Sequence, residues 1–154
     1  METVRDFYVT VIGNLERHRQ DPSSWAGDLE RGDPDAGSRR VLDKLDSDIR
    51  WKTLVGEVHA GKLGFARGAD DLLRAAREYR VSLGEIAEVS DDQVLVAVQT
   101  EMTGRGSGVA GSVSFFALFR LRDGLITEFY EYTTRDDALQ AVGPDEDQRR
   151  DAGR

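Results

Sequence analysis

The sequence predicts an α+β domain: helices from the first half packed on a curved antiparallel sheet from the second, enclosing a small-molecule pocket. Three observations predict it. As far as Tyr79, apolar residues recur at three- and four-residue steps, the period of a helix with one buried face. From Val81 onward the pattern changes to the alternation of strands. Asp123-Gly124 then joins two alternating runs, a pair suited to a two-residue hairpin turn whose central residues both need positive φ. Helices followed by a meander separate this chain from alternating βαβ folds.

The elements follow in order. Val4, Phe7, Tyr8, Val11, Ile12 and Leu15 share one face of a helix over residues 3–19. Pro22, Ser23 and Ser24 precede a helical turn at Trp25. Asp33 and Pro34 suit the cap and first position of a helix. Its buried side carries Val41, Leu42 and Leu45, and it ends near Asp46. Ile49–Leu54 reads as a short strand, and Gly56–Gly68 as a glycine-rich irregular stretch. Asp70 and Asp71 open a helix with Leu72, Leu73, Ala76 and Tyr79 on its face. Strands are expected over Val81–Val89, Gln93–Thr103, Ser112–Arg122 and Leu125–Thr134, and a last helix over Asp136–Val142. The domain is expected to span 1–143, with 144–154 a charged tail.

Composition narrows the partners. A net charge of -8, with 21 basic residues scattered among 29 acidic ones, lacks the basic stripe that nucleic acid demands. The N-terminus has no basic region followed by an apolar run, and no apolar run approaches the ~20 residues that span a bilayer. The absence of cysteine fits a reducing compartment, and the expected location is cytoplasmic. With two histidines and no metal-ligand spacing, neither a metal nor a cofactor is expected.

Counting back from the Asp123-Gly124 turn pairs residues that sum to 247 and assigns the faces. One face would carry Phe116 and Leu118 opposite Glu131 and Phe129. The other would carry Phe115, Ala117 and Phe119 opposite Tyr132, Tyr130 and Glu128. Both faces are substantially apolar. One should pack on the helices, and a second copy of the sheet is the simplest cover for the other, giving a homodimer. The alternative is a second face left half-wet.

Gly106–Gly111 fits the G-x-G-x-x-G pattern, but a dinucleotide fingerprint needs a helix after it, and a strand is expected here. The glycines read better as a hairpin connection. Two strand carboxylates draw the chemistry. Glu101 shares its face with Gln99, Ala97 and Leu95, and Glu131 sits among aromatic residues. A desolvated carboxyl has a raised pKa and can work as acid or base near neutrality. The bland reading is that each carboxylate is solvated, or paired with an arginine such as Arg105 or Arg120.

Taken in order, Gly32-Asp33-Pro34-Asp35, Asp48-Ile49-Arg50-Trp51, Gly104–Gly108, Phe119–Ile126, Glu131-Tyr132 and Ala138-Leu139 resemble the SnoaL-like branch of the nuclear-transport-factor-2-like superfamily. The resemblance implies a cystatin-like cone, with N-terminal helices on a strongly curved mixed or antiparallel sheet enclosing a pocket. It also implies a homodimer through the other sheet face. Superfamily members include polyketide cyclases, ketosteroid isomerases, dehydratases, limonene epoxide hydrolases and non-catalytic binding domains. In the epoxide hydrolase pattern, Arg-x-Asp aligns with Gln99-Thr100-Glu101, the second acid with Glu131 of Glu131-Tyr132, and Tyr-x-Asn with Trp51-Lys52-Thr53. Both acids are present as glutamates, but the arginine, tyrosine and asparagine are replaced, which speaks against epoxide hydrolysis.

The expectation is therefore a pocket for a small, mostly apolar ligand, either in a cofactor-free isomerase, cyclase or lyase or in a non-catalytic binding module. Glu131 and Glu101 would be the catalytic pair. Gln99 would orient the ligand, and Trp51, Thr53, Phe116 and Phe129 would bind it.

Overall fold

The computed structural model describes residues 2, 4–9, 25–32, 39–104, 108 and 110–142. The expected cap at Asp33-Pro34, most of the first helix and the 144–154 tail lie outside the described residues. Residues 4–9 are helical (α1). Then come α2 (Trp25–Arg31), α3 (Arg39–Leu42), β1 (Leu45–Lys52), β2 (Val58–Ala60) and α4 (Gly61–Ala75). The second half is β3 (Ala76–Ser90), β4 (Gln93–Gly104), β5 (Ala110–Arg122), β6 (Leu125–Tyr132) and α5 (Arg135–Gln140).

The strands form one six-stranded sheet in the order β2-β1-β6-β5-β4-β3. Only β1 and β6 pair in parallel, so the sheet is mixed. α1, α2 and α4 close one side, and the core between helices and sheet is built on Phe7, Trp25, Phe65, Ile49, Phe119 and Ile126. This is the α+β cone expected from the sequence.

The predicted turn forms: Asp123 and Gly124 both have positive φ, 53° and 78°. The residues beyond it slip by one. Arg122↔Leu125 and Leu121↔Ile126 pair as counted, but Arg120 pairs with Glu128, leaving Thr127 as an extra residue in a bulge. The Thr127 hydroxyl donates to the Arg120 carbonyl at 3.1 Å and fills the gap. A one-residue slip turns every later side chain to the opposite face. Glu131 therefore pairs with Ala117, and Phe129 with Phe119. The face assignment from counting is corrected: Glu131 and Phe129 lie with Phe115, Ala117 and Phe119 on the helix-covered side. Phe119, which counting put on the face opposite to Glu131, is fully buried in the core.

Phe116 and Leu118 consequently face outward. There α5 folds back over them: Ala138 is buried against Leu95 and Leu118, with Phe116, Tyr132 and Leu139 packed around. Thr134 caps α5 by accepting the Asp137 backbone N–H at 3.1 Å. Part of the outer face is thus covered from within the chain.

Further expectations change. The glycine-rich stretch is ordered: β2 pairs with β1, placing His59 beside Trp51, and α4 begins at Gly61 rather than at Asp70. Asp70 is instead a buried mid-helix residue whose carboxylate accepts the backbone N–H groups of Trp25 and Ala26 at 2.7 and 3.0 Å. It satisfies the unpaired donors that open α2, tying α2 to α4. α4 ends at Ala75, so Tyr79 stands on β3 and not on a helix face. Ala110–Arg122, after the glycine-rich loop, is a strand, so the helix a dinucleotide site would need is not there.

Candidate functional site

Between helices and sheet lies a cavity of about 740 Å³, within the range of about 300–1,000 Å³ usual for small-molecule pockets. Its walls are mainly apolar: Phe7 from α1, Trp25 from α2, Phe65 and Leu72 from α4, and Val98, Phe115 and Phe129 from the sheet. Several rings lie parallel. Trp51 and Phe129 stack 8° from coplanar with centroids 5.9 Å apart, and Phe119 continues the stack behind Phe129 at 4.7 Å.

Glu131 is the half-buried carboxyl among the polar groups of this lining. It is half-buried on β6 and set by the bulge to face the cavity. The Trp51 indole N–H donates to its Oε2, and the Leu54 backbone N–H to its Oε1, each at 3.2 Å. Burial raises the Glu131 pKa, against the opposing pull of those two hydrogen bonds. Two tyrosines share the neighbourhood. Burial first, then the Glu131 charge, push Tyr79 up to about 12, partly offset by a hydrogen bond with Thr100. Tyr8 is raised well above its ordinary value by burial, then by Glu131 and by Tyr79.

The close packing around Trp51 depends on Gly68. A Cβ added there would sit 2.9 Å from the Trp51 ring and 3.0 Å from the His59 imidazole. Only a glycine lets α4 press this close to β1 and β2. His59, 4.9 Å from the Trp51 ring centroid, and Glu57 complete this side of the cavity. The His59 Nε2 lies 3.8 Å from the Glu57 carboxylate.

The structure divides the residues singled out in the sequence. Glu131, Trp51, Thr53 and Phe129 line the cavity. Glu101, Gln99 and Phe116 do not. On β4 the inward residues are Val96, Val98 and Thr100, so their neighbours Gln99 and Glu101 are exposed on the outer face. Gln99 there donates to Ser112 at 3.2 Å. Glu101 borders a separate shallow hollow with Arg80 and Ser112. Phe116 is turned outward by strand alternation. Glu131 and Glu101 therefore stand on opposite sides of the sheet and cannot act together.

Sequence reasoning missed Tyr8, Tyr79, Thr100 and His59 as lining. Tyr8 was legible only as one residue of an apolar helix face. His59 carried no signal until β2 was known. Among the described residues, no group of three or more His, Cys, Asp or Glu side chains could hold a metal ion. No described helix is long and apolar enough to cross a membrane.

The SnoaL-like domain profile matches residues 24–129, the span that runs from α2 through the sheet to Phe129. The chain belongs to the SnoaL-like domain family. Solved structures agree on the fold of this SnoaL-like protein. A candidate SnoaL-like polyketide cyclase from Jannaschia superposes with a TM-score of 0.57 at 18% identity, covering 88% of this chain and 94% of that one. A nuclear-transport-factor-2-like protein of unknown function from Burkholderia pseudomallei gives 0.55 at 17%, covering 85% and 98%. TerC, co-crystallised with polyporic acid, gives 0.55 at 16%, covering 77% and 94%. At these identities the likeness speaks for the fold alone. No curated protein matches the chain significantly.

Proposed function

We propose that this SnoaL-like protein binds a small, mostly apolar molecule inside the cone. There Glu131 serves as a lone general acid or base, in a cofactor-free isomerase, cyclase or lyase. The observation that carries the reading is the setting of Glu131. A mainly apolar cavity of ligand size has the half-buried Glu131 carboxyl turned into it, with a raised pKa and both oxygens held. A carboxyl whose pKa is raised by burial is a stronger base when ionised and can hold a proton to donate, the two roles of general acid–base catalysis. Trp51, Thr53 and Phe129 would contact the ligand. The likeness to TerC adds only that a cone of this fold is compatible with an organic ligand such as polyporic acid.

The test is solvent-deuterium exchange next to the carbonyl of a panel of cyclic ketones, followed by mass spectrometry. The Glu131→Gln variant is expected to lose about 100-fold or more in exchange rate. Unchanged exchange removes Glu131 from the chemistry.

A non-catalytic binding module is the second reading. The outward position of Glu101 favours it, because it leaves Glu131 without the second carboxylate that an acid–base pair would use. Binding without exchange in the same panel selects it. A homodimer through the outer sheet face is also proposed, on the partly exposed Phe116, Tyr130 and Tyr132 beside α5. Light scattering at twice the monomer mass is the expected result.

A further inference from the structure

The cavity lining is charged with one sign. Its described residues include three carboxylates, Glu57, Asp71 and Glu131, and no lysine or arginine. Strand alternation sets Glu57 and Glu131 on either side of Thr53, two residues on from the row His59–Trp51–Phe129. Asp71 is engaged from outside by Arg74 at 3.1 Å, and Glu57 stands 3.8 Å from the His59 imidazole at the rim. Glu131, the most enclosed of the three, is held by neutral groups, the Trp51 indole N–H and the Leu54 backbone N–H. Among the described residues no cation pairs with it. Taking a carboxylate out of water is unfavourable unless a positive charge meets it. A second, independent sign of a missing polar partner lies nearby. The Tyr8 hydroxyl is buried at the cavity without a hydrogen-bond partner, close enough to Glu131 to feel its charge. Its oxygen can accept a hydrogen bond.

We infer that the cavity takes an aromatic or alicyclic amine, whose protonated nitrogen pairs with Glu131 while its rings lie against Trp51 and Phe129. An organic ammonium gains twice at such a site, from a charge-assisted hydrogen bond to the carboxylate and from the aromatic faces around it. A metal ion does not fit the same place: among the described residues no group of three or more His, Cys, Asp or Glu side chains could hold one. The mainly apolar walls suit a carbon skeleton behind the charge, and an anion would be repelled by the acids of the lining. The inference rests on the reading of the cone interior as a ligand site, and deepens it by giving the ligand its charge. It also serves the proposed chemistry, because a positive charge beside Glu131 favours its ionised form, the one that acts as a base.

The test compares three probes of nearly equal shape at neutral pH: 2-(aminomethyl)naphthalene, which is a cation, the neutral 2-(hydroxymethyl)naphthalene, and the anion 2-naphthoate. Equilibrium binding is measured to the wild-type chain and to Glu131→Gln. The wild type should bind the amine about tenfold or more tightly than the alcohol, the worth of a hydrogen bond to a charged group, and the naphthoate most weakly. Added salt should weaken the amine and leave the alcohol unchanged. Glu131→Gln should bring the amine down to the affinity of the alcohol, with the alcohol itself little altered. Should that variant fail to fold, the wild-type ranking and its salt dependence decide the matter. An amine no tighter than the alcohol, or naphthoate as the tightest probe, overturns the inference and leaves the pocket reading standing. A preference for the amine that survives in Glu131→Gln also overturns it. Binding of none of the three to the wild type ends the pocket reading and the inference with it.

Discussion

The Trp51 indole N–H reaches Glu131 Oε2 at 3.2 Å across 80 residues of chain, joining β1 to β6 at the cavity. The same indole is stacked on Phe129 and pressed by Gly68 and His59, so one side chain both walls the cavity and holds its carboxyl. Trp51→Phe keeps an aromatic ring but removes the donor and leaves a void. Urea unfolding should show a loss of about 2–4 kcal/mol. A loss under about 0.5 kcal/mol would mean the contact is not held in solution.

Gly68 should tolerate no side chain. The added methyl of Gly68→Ala would meet the Trp51 and His59 rings at about 3 Å, and overpacking of this kind costs about 1–3 kcal/mol. The displaced indole should also show a changed near-ultraviolet dichroism. An unaltered spectrum with wild-type stability would contradict the packing described.

Asp70 is a structural acid. Asp70→Ala leaves the Trp25 and Ala26 backbone N–H groups without their acceptor. The cap alone is worth about 0.5–2 kcal/mol, and buried orphan donors add to it. A thermal melt should show the loss, with Asp70→Asn recovering part of it through its remaining carbonyl oxygen. Equal losses from Asn and Ala would argue against a capping role.

Stability should depend on pH through Glu131, with a definite sign. Burial raises this carboxyl in the folded state above its ordinary value. Between the unfolded and folded values the native state binds more protons, so stability falls as pH rises through that window. The carboxyl's contribution is complete below the unfolded value of about 4.3, and it is lost as pH passes the raised folded value. Glu131→Gln has no such window. The stability of the variant minus that of the wild type should therefore grow from about pH 4 upward and then level off. A difference independent of pH would contradict the raised value.

Glu101, exposed on the far face, should matter little. Glu101→Gln is expected to leave exchange in the cyclic ketone panel within about twofold and stability within about 0.5 kcal/mol. A large loss of exchange would put Glu101 back at the site.

The sequence carried the fold well because its signals are local and repeated. Alternation along Gln93–Gly104 marks β4, and Asp123-Gly124 adopts the double positive φ that its composition requires. The site was less legible because it turns on one residue. Thr127 looks like any strand position, and its bulge decides whether Glu131 and Phe129 face the cavity or the solvent. Counting from the turn put Glu131 with Phe116, and the slip separates them. The Gln99–Glu101 alignment failed for a related reason. It fixes a strand but not a face, and Thr100 is the member of the trio that points inward. Asp70 reads as a helix opener in sequence, because capping a different helix is a tertiary property.

The proposed site depends on Glu131 facing a mainly apolar cavity. The most direct measurement is a carbon-13 titration of its carboxyl by NMR, assigned by loss of the signal in Glu131→Gln. The account predicts a midpoint above the ordinary glutamate value, moving further upward when an apolar ketone fills the cavity. A midpoint at or below the ordinary value, indifferent to any such compound, would contradict it.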